Sequence, residues 1–157
     1  MPELCEVQIM TDNLMKWMVG TTITKTEVVD FRLDSVSSIA METVKSVYRR
    51  AKYSVVQLES HSVILHYRMT GQVVKESSAQ GTRFVRMRWI LNTGDQIAFV
   101  DPRKFGTVDI VLNTELDDWW ENKGLGAEIW PMVRNGEWWS TVMSGVKTPI
   151  KVALLKQ

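Results

Sequence analysis

Seven short segments between Ile23 and Leu112 constrain the fold of this chain more than any other feature. Residues 23–29, 43–49, 53–58, 62–68, 83–91, 96–100 and 105–112 are rich in valine, isoleucine, tyrosine and phenylalanine. Polar turns such as Glu59-Ser60-His61 and Asn92-Thr93-Gly94-Asp95 separate them. Short β-rich runs at this spacing suggest an antiparallel sandwich or barrel. A helix precedes them. Over Glu3–Met18, the residues Leu4, Val7, Met10, Leu14, Trp17 and Met18 recur at helical spacing. Glu3 and Glu6 lie in its first turn, where the helix dipole favours negative charge, and Gly20 offers a stop. After Leu112 the pattern turns helical again. Asn113 predicts a cap for a helix through Trp119 and Trp120 that ends at Gly124, and a second short helix holds Trp138 and Trp139. The tryptophan pairs read first as packing residues, with base-stacking platforms the alternative. Residues 148–157 place Pro149 near a helix start and then an apolar run. The expected fold class is α+β: an N-terminal helix, an antiparallel β-sandwich of about seven or eight strands, and short C-terminal helices.

Composition removes several function classes. The 157 residues contain one cysteine, Cys5, and two histidines, His61 and His66. That excludes an internal disulfide, a cysteine zinc site and an iron–sulfur cluster, so no metal is expected. A lone thiol suits a reducing, intracellular compartment. No apolar run is long enough to span a membrane, and the acidic N-terminus is not a signal peptide. The net charge of +1 conceals an uneven distribution. Residues 43–106 hold eleven lysines and arginines against four acids, a net +7, while the remainder carries −6. A basic stretch of that kind suits a polyanion, although a solvated sheet surface carries the same charges.

The chemistry begins at Met1-Pro2-Glu3. A small second residue permits removal of Met1, which exposes the secondary amine of proline. Such an amine is a nucleophile with a neutral fraction at physiological pH. Attack on a sugar carbon forms a charged iminium, an electron sink for elimination. Glu3, beside it, and Glu6, one turn later, can protonate a sugar oxygen or shuttle protons. Alone, this tripeptide is too common to assign a function.

Further segments follow in order: Met1-Pro-Glu-Leu-Cys-Glu-Val7, Arg49-Arg-Ala-Lys-Tyr53, Leu65-His-Tyr-Arg-Met-Thr-Gly71, Asp101-Pro-Arg-Lys-Phe-Gly106, Leu125-Gly-Ala-Glu128 and Thr148-Pro-Ile-Lys151. Together they resemble the N-terminal half of the formamidopyrimidine-DNA glycosylase family, the Fpg/Nei group of base-excision repair enzymes. The resemblance implies a DNA N-glycosylase that removes oxidised bases, with AP-lyase activity by β-elimination through a Schiff base. It implies that Pro2 is the nucleophile, that Glu3 is the proton donor opening the sugar, and that Glu6 supports the site. Lys52 matches the active-site lysine assigned to β-elimination, which can also hold the phosphate beside the lesion. Met69 matches the wedge inserted where the damaged base is flipped out; without the family match, core packing would be its ordinary reading. Arg103 and Phe105 match the loop that probes the opposite strand, shaped by Asp101 and Pro102. Lys147 and Lys151 would contact the DNA backbone.

Three departures stand out. Cys5 replaces a second proline. The family's Leu-Gly-Met-Ser-Gly is here Tyr67-Arg68-Met69-Thr70-Gly71, so Arg68 replaces a glycine. A DNA-contacting histidine aligns near Phe84, where Arg83 could substitute. The resemblance also divides the chain. Residues 1–144 form the catalytic β-sandwich domain. Residues 145–157 start a helix-two-turns-helix domain that is not continued, and the family's zinc finger is absent. The expected partner is damaged double-stranded DNA, with a separate polypeptide supplying the second domain a further possibility, and the expected state is a monomer. Reduction to AP-lyase activity follows, because an abasic aldehyde needs no gripped base. The alternative is a non-catalytic DNA-binding remnant of the same family.

Overall fold

The amphipathic N-terminal stretch forms α1, Leu4–Met18. The structure, a computed structural model, describes residues 2–76, 82–128, 135–149 and 152. Glu3 and Glu6 do more than complement the dipole. They form a capping box in which each side chain accepts the other's backbone N–H, satisfying two donors that the helix start would otherwise leave open. Val7, Met10, Leu14 and Met18 are buried along one face, as is Thr11. Gly20 follows with φ +80°, and its N–H turns to the carbonyl of Val44.

All seven expected β segments appear, and the described residues form nine strands. They are β1 (Thr22–Val28), β2 (Glu42–Thr43), β3 (Ser46–Arg50), β4 (Tyr53–Gln57), β5 (His61–His66), β6 (Gln72–Glu76), β7 (Val85–Leu91), β8 (Gln96–Val100) and β9 (Thr107–Leu112). One sheet has the order β2-β1-β7-β8-β6, the other β3-β4-β5-β9, and every pairing is antiparallel. The expected segment 43–49 divides because the chain changes sheets there. Thr43 pairs with β1, Val44 bonds to the Gly20–Thr21 backbone, and the amide of Lys45 already reaches Gln57 on β4. β6 was not anticipated. It is an edge strand with one buried residue, Val73, so it lacks the apolar alternation that marks a strand in sequence.

The 3₁₀ segment Phe31–Ser38 was likewise unread. Its buried residues Leu33 and Val36 have the i, i+3 spacing of that helix, and Asp30 caps it by accepting from the Arg32 amide. One core collects α1 (Val7, Met10, Leu14, Met18) with residues of both sheets, among them Ile23, Val56, Leu65, Met87, Trp89 and Phe99.

Two compact units divide the chain, Met1–Asp117 and Asp118–Gln157. The 144/145 boundary implied by the family resemblance lies within the second. Asn113 does not cap a helix. It opens the 3₁₀ turn Asn113–Glu115, which leads into α2 (Leu116–Lys123). Its amide donates instead to the carbonyls of Leu58 and Glu59, and its oxygen accepts from Ser62, which ties it to the β4–β5 turn. Gly124 ends α2 with φ +60°. Trp119 and Trp120 meet edge-to-face at 4.7 Å. In the second unit, α3 (Gly136–Val142) is capped by Asn135, and Trp138 and Trp139 form a T-shaped pair at 4.9 Å. Among the described residues no helix is long and apolar enough to cross a membrane, and no His/Cys/Asp/Glu cluster could hold a metal.

Candidate active site

Pro2 is half-buried immediately ahead of the α1 capping box. Lys52 lies in the two-residue turn between β3 and β4, where Arg50 pairs with Tyr53 and Ala51 takes φ +49°. Its Nζ is 2.6 Å from Glu3 Oε2, and its side chain is only 17% exposed. The two acids divide their work: the Glu6 carboxylate takes the Glu3 amide at 2.9 Å, and the Glu3 carboxylate faces Lys52. Arg49 holds the arrangement. It donates through Nε to Gln8 on α1 at 2.8 Å and through Nη1 to the Ala51 carbonyl at 2.9 Å, which fastens the Lys52 turn to the helix that carries Pro2. Cys5 is exposed in the same first turn.

A buried chain of hydroxyls connects this cluster to the loop holding Met69. Tyr67 Oη donates to Ser54 Oγ at 2.7 Å, and Ser54 Oγ lies 2.6 Å from Thr11 Oγ1 on α1. Ser54 is two residues past Lys52, and Tyr67 is two residues before Met69. Burial pushes the Tyr67 phenol well above its ordinary range.

Met69 is 42% exposed, so core packing is not its role. Arg103 is exposed, and its guanidinium sits 4.8 Å above the ring of Phe105, itself 53% exposed. Asp101, fully buried, organises these parts. Its Oδ1 accepts from Thr70 Oγ1 at 2.5 Å and from the Arg103 amide at 3.2 Å; its Oδ2 accepts from the Gly106 amide at 2.7 Å. The Asp101 amide donates to Phe84 at 3.0 Å. Phe84 is exposed with φ +60°, and Arg83 lies 5.0 Å over its ring. Three loops therefore converge on Asp101, carrying the exposed apolar residues Met69, Phe84 and Phe105 and the exposed cations Arg68, Arg83, Arg103 and Lys104.

Beneath them lies a buried charge network. Arg86 donates to Asp30 at 2.9 Å and to the carbonyl of Gly106, and its Nη1 is 3.7 Å from Asp101. Arg32 grips Asp30 with two further bonds, at 3.0 and 2.7 Å. The Arg32 bonds, assisted by Arg86, hold the Asp30 carboxyl well below the usual carboxylate range against the cost of burial. Burial disfavours the charge on Asp101 too, but bonds from Thr70, Gly106 and Arg103 and the charge of Arg86 outweigh it and lower its pKa. Gly106 is required here. A Cβ on it would meet the Phe99 ring at 2.6 Å.

Lys147 is exposed in the second unit, and Lys151 lies outside the described residues. Thr70, Arg49, Arg86 and Asp30 were not singled out for these roles by sequence reasoning. Their partners are up to 56 residues away, and no local pattern marks such pairings.

A helix-led two-sheet domain with a half-buried proline at its start is the class this geometry defines, and solved structures share its fold. The complex of Lactococcus lactis Fpg with DNA containing an abasic site matches 99% of this chain and 61% of that one, with a TM-score of 0.88 at 23% identity. The sequence profile of the formamidopyrimidine-DNA glycosylase N-terminal domain matches residues 1–108, and the chain belongs to that family. Among relatives, the formamidopyrimidine-DNA glycosylase of Streptococcus agalactiae is 29% identical over all of this chain and 60% of its own length. That of Herpetosiphon aurantiacus is 33% identical over 71% of this chain and 44% of its own. The chain thus spans about 60% of the S. agalactiae relative.

Proposed function

We propose that this chain acts on damaged double-stranded DNA as the catalytic part of a base-excision DNA glycosylase with an AP-lyase step. The observation that carries the reading is the 2.6 Å contact between Lys52 and Glu3 beside the half-buried Pro2. Removal of Met1 leaves Pro2 as a secondary amine. With a pKa near the α-amino range of about 7.7–8.0, a share of it is neutral at physiological pH. Its lone pair attacks C1′ of the damaged nucleotide, and the bond from C1′ to the base breaks with its electron pair passing to the base. The nitrogen gives up its proton, which neutralises the departing base, and protonation of the ring oxygen by Glu3 then opens the sugar and leaves an iminium. The iminium accepts the electron pair left when C2′ loses a proton, and the C3′–O bond breaks as the 3′ phosphate departs. Water then hydrolyses the imine and restores the amine. A contact of 2.6 Å lets Glu3 and Lys52 exchange a proton between these steps, and Lys52 can hold the neighbouring phosphate.

The exposed loops support the same reading. Met69 and Phe105 are flexible or flat apolar side chains suited to filling the gap left by a flipped nucleotide, and Arg103 can face the unpaired base. Abasic DNA is the first substrate to try, since an aldehyde is attacked without gripping or expelling a base. Borohydride trapping of the Met1-free protein on abasic duplex should give a covalent adduct that Pro2→Gly diminishes. No adduct, or one undiminished in Pro2→Gly, overturns the mechanism. A salt-sensitive gel shift without an adduct would mark a DNA-binding module without chemistry.

A further inference from the structure

We infer that Thr70 is a positioning residue that locks the Met69 loop to the Arg103–Phe105 loop through Asp101, so that both probes meet DNA as one preset unit. The inference rests on the reading above, in which these loops engage DNA.

Met69 is 42% exposed, so its direction depends strongly on the backbone of residues 67–71. That turn is fastened at both ends. On one side the Tyr67 phenol is tied to Ser54, and the Gly71 amide returns to the Tyr67 carbonyl at 2.9 Å. On the other, two cross-loop hydrogen bonds run through a single atom. Thr70 Oγ1 donates to Asp101 Oδ1 at 2.5 Å and lies 3.4 Å from the Arg103 amide as an acceptor. Asp101 cannot drift, because it is wholly buried and takes the Arg103 and Gly106 amides as well. The Thr70 hydroxyl therefore sits between a residue aimed at the lesion gap and the residues aimed across it. A side chain ordered before binding loses less freedom on binding, and two probes held in one frame lose it together.

A double-substitution cycle tests the lock. Binding to an abasic duplex is measured by fluorescence anisotropy for Met69→Ala, Arg103→Ala and the pair, first with Thr70 and then with Thr70→Val. With Thr70 the combined loss should differ from the product of the single losses by a factor of about three or more. In Thr70→Val that factor should fall to about one, and Thr70→Ser, which keeps the hydroxyl, should restore it. An equal factor in both backgrounds, or none with Thr70, overturns the inference. Hydrogen exchange of the Gly106 and Arg103 amides needs no DNA. Thr70→Val should speed it by about tenfold, and unchanged exchange also overturns the lock. Failure of the unaltered protein to bind abasic duplex would instead defeat the proposed function, while the exchange experiment would still decide whether Thr70 joins the loops.

Discussion

Arg68 takes φ +53°, in the left-handed region that glycine occupies at little cost, and it stands where the family pattern has glycine. Strain of this kind costs about 1–3 kcal/mol in non-glycine residues, offset in part by the greater freedom of glycine when unfolded. Arg68→Gly is therefore expected to stabilise the domain by about 1 kcal/mol, read as a higher urea midpoint at unchanged slope. Asp30 makes the opposite kind of contribution. Arg32 and Arg86 hold its carboxyl below the value near 3.9 of an unfolded chain. The stability it lends is complete above that value and is lost as pH falls toward the folded one. Stability should thus decline from about pH 4 downward. Asp30→Asn should lessen that decline and cost roughly 2–3 kcal/mol at neutral pH by removing the nearer of the two carboxylates that face buried Arg86; urea titrations across pH 2–7 would measure both. Pro2, Glu3 and Lys52 were legible from motifs. The contacts that aim Lys52 were not, because Arg49 and Gln8 are separated by 41 residues and only the fold brings them together.

At the scale of elements, the legible parts were those with strong periodicity. α1 shows it with Val7, Met10, Leu14 and Met18, and β5 is marked instead by an unbroken run of four buried residues. β6 and the 3₁₀ segment Phe31–Ser38 bury only one and two residues and left no comparable trace. Asn113 misled because its amide can cap a helix or brace a turn, and the nearby β4–β5 turn offered two carbonyls. Packing between elements is specific enough to test. Tyr67→Phe removes the donor that joins the Met69 loop to β4 and should cost about 1–2 kcal/mol. Gly106→Ala drives a methyl toward Phe99, which is buried, and should cost roughly 1–3 kcal/mol. Denaturant unfolding reads both. A neutral Gly106→Ala would mean that the Phe99 ring and the 101–106 loop yield together.

Across the whole molecule, the excess of positive charge in residues 43–106 is not spread evenly. Five of its eleven cations are paired: Lys45 with Glu59, Lys75 with Asp95 and Arg88 with Glu76 inside the segment, and Lys52 with Glu3 and Arg86 with Asp30 outside it. The cations around Asp101 (Arg68, Arg83, Arg103 and Lys104) remain exposed among Met69, Phe84 and Phe105. A face that mixes apolar wedges with cations is the form a duplex-opening surface takes, and the field it creates is local. If those four side chains neutralise about four phosphates, affinity for duplex DNA should fall about a hundredfold between 50 and 200 mM salt. Arg83→Ala and Lys104→Ala should each reduce the slope of log affinity against log salt by about one, while Lys16→Ala on α1 leaves it unchanged. The contrast separates two sources of binding. A diffuse excess of charge would lose the same increment wherever a cation is removed. A docking surface loses it only where the loops converge, so equal reductions from Lys16→Ala and Lys104→Ala would mark diffuse charge rather than docking on these loops.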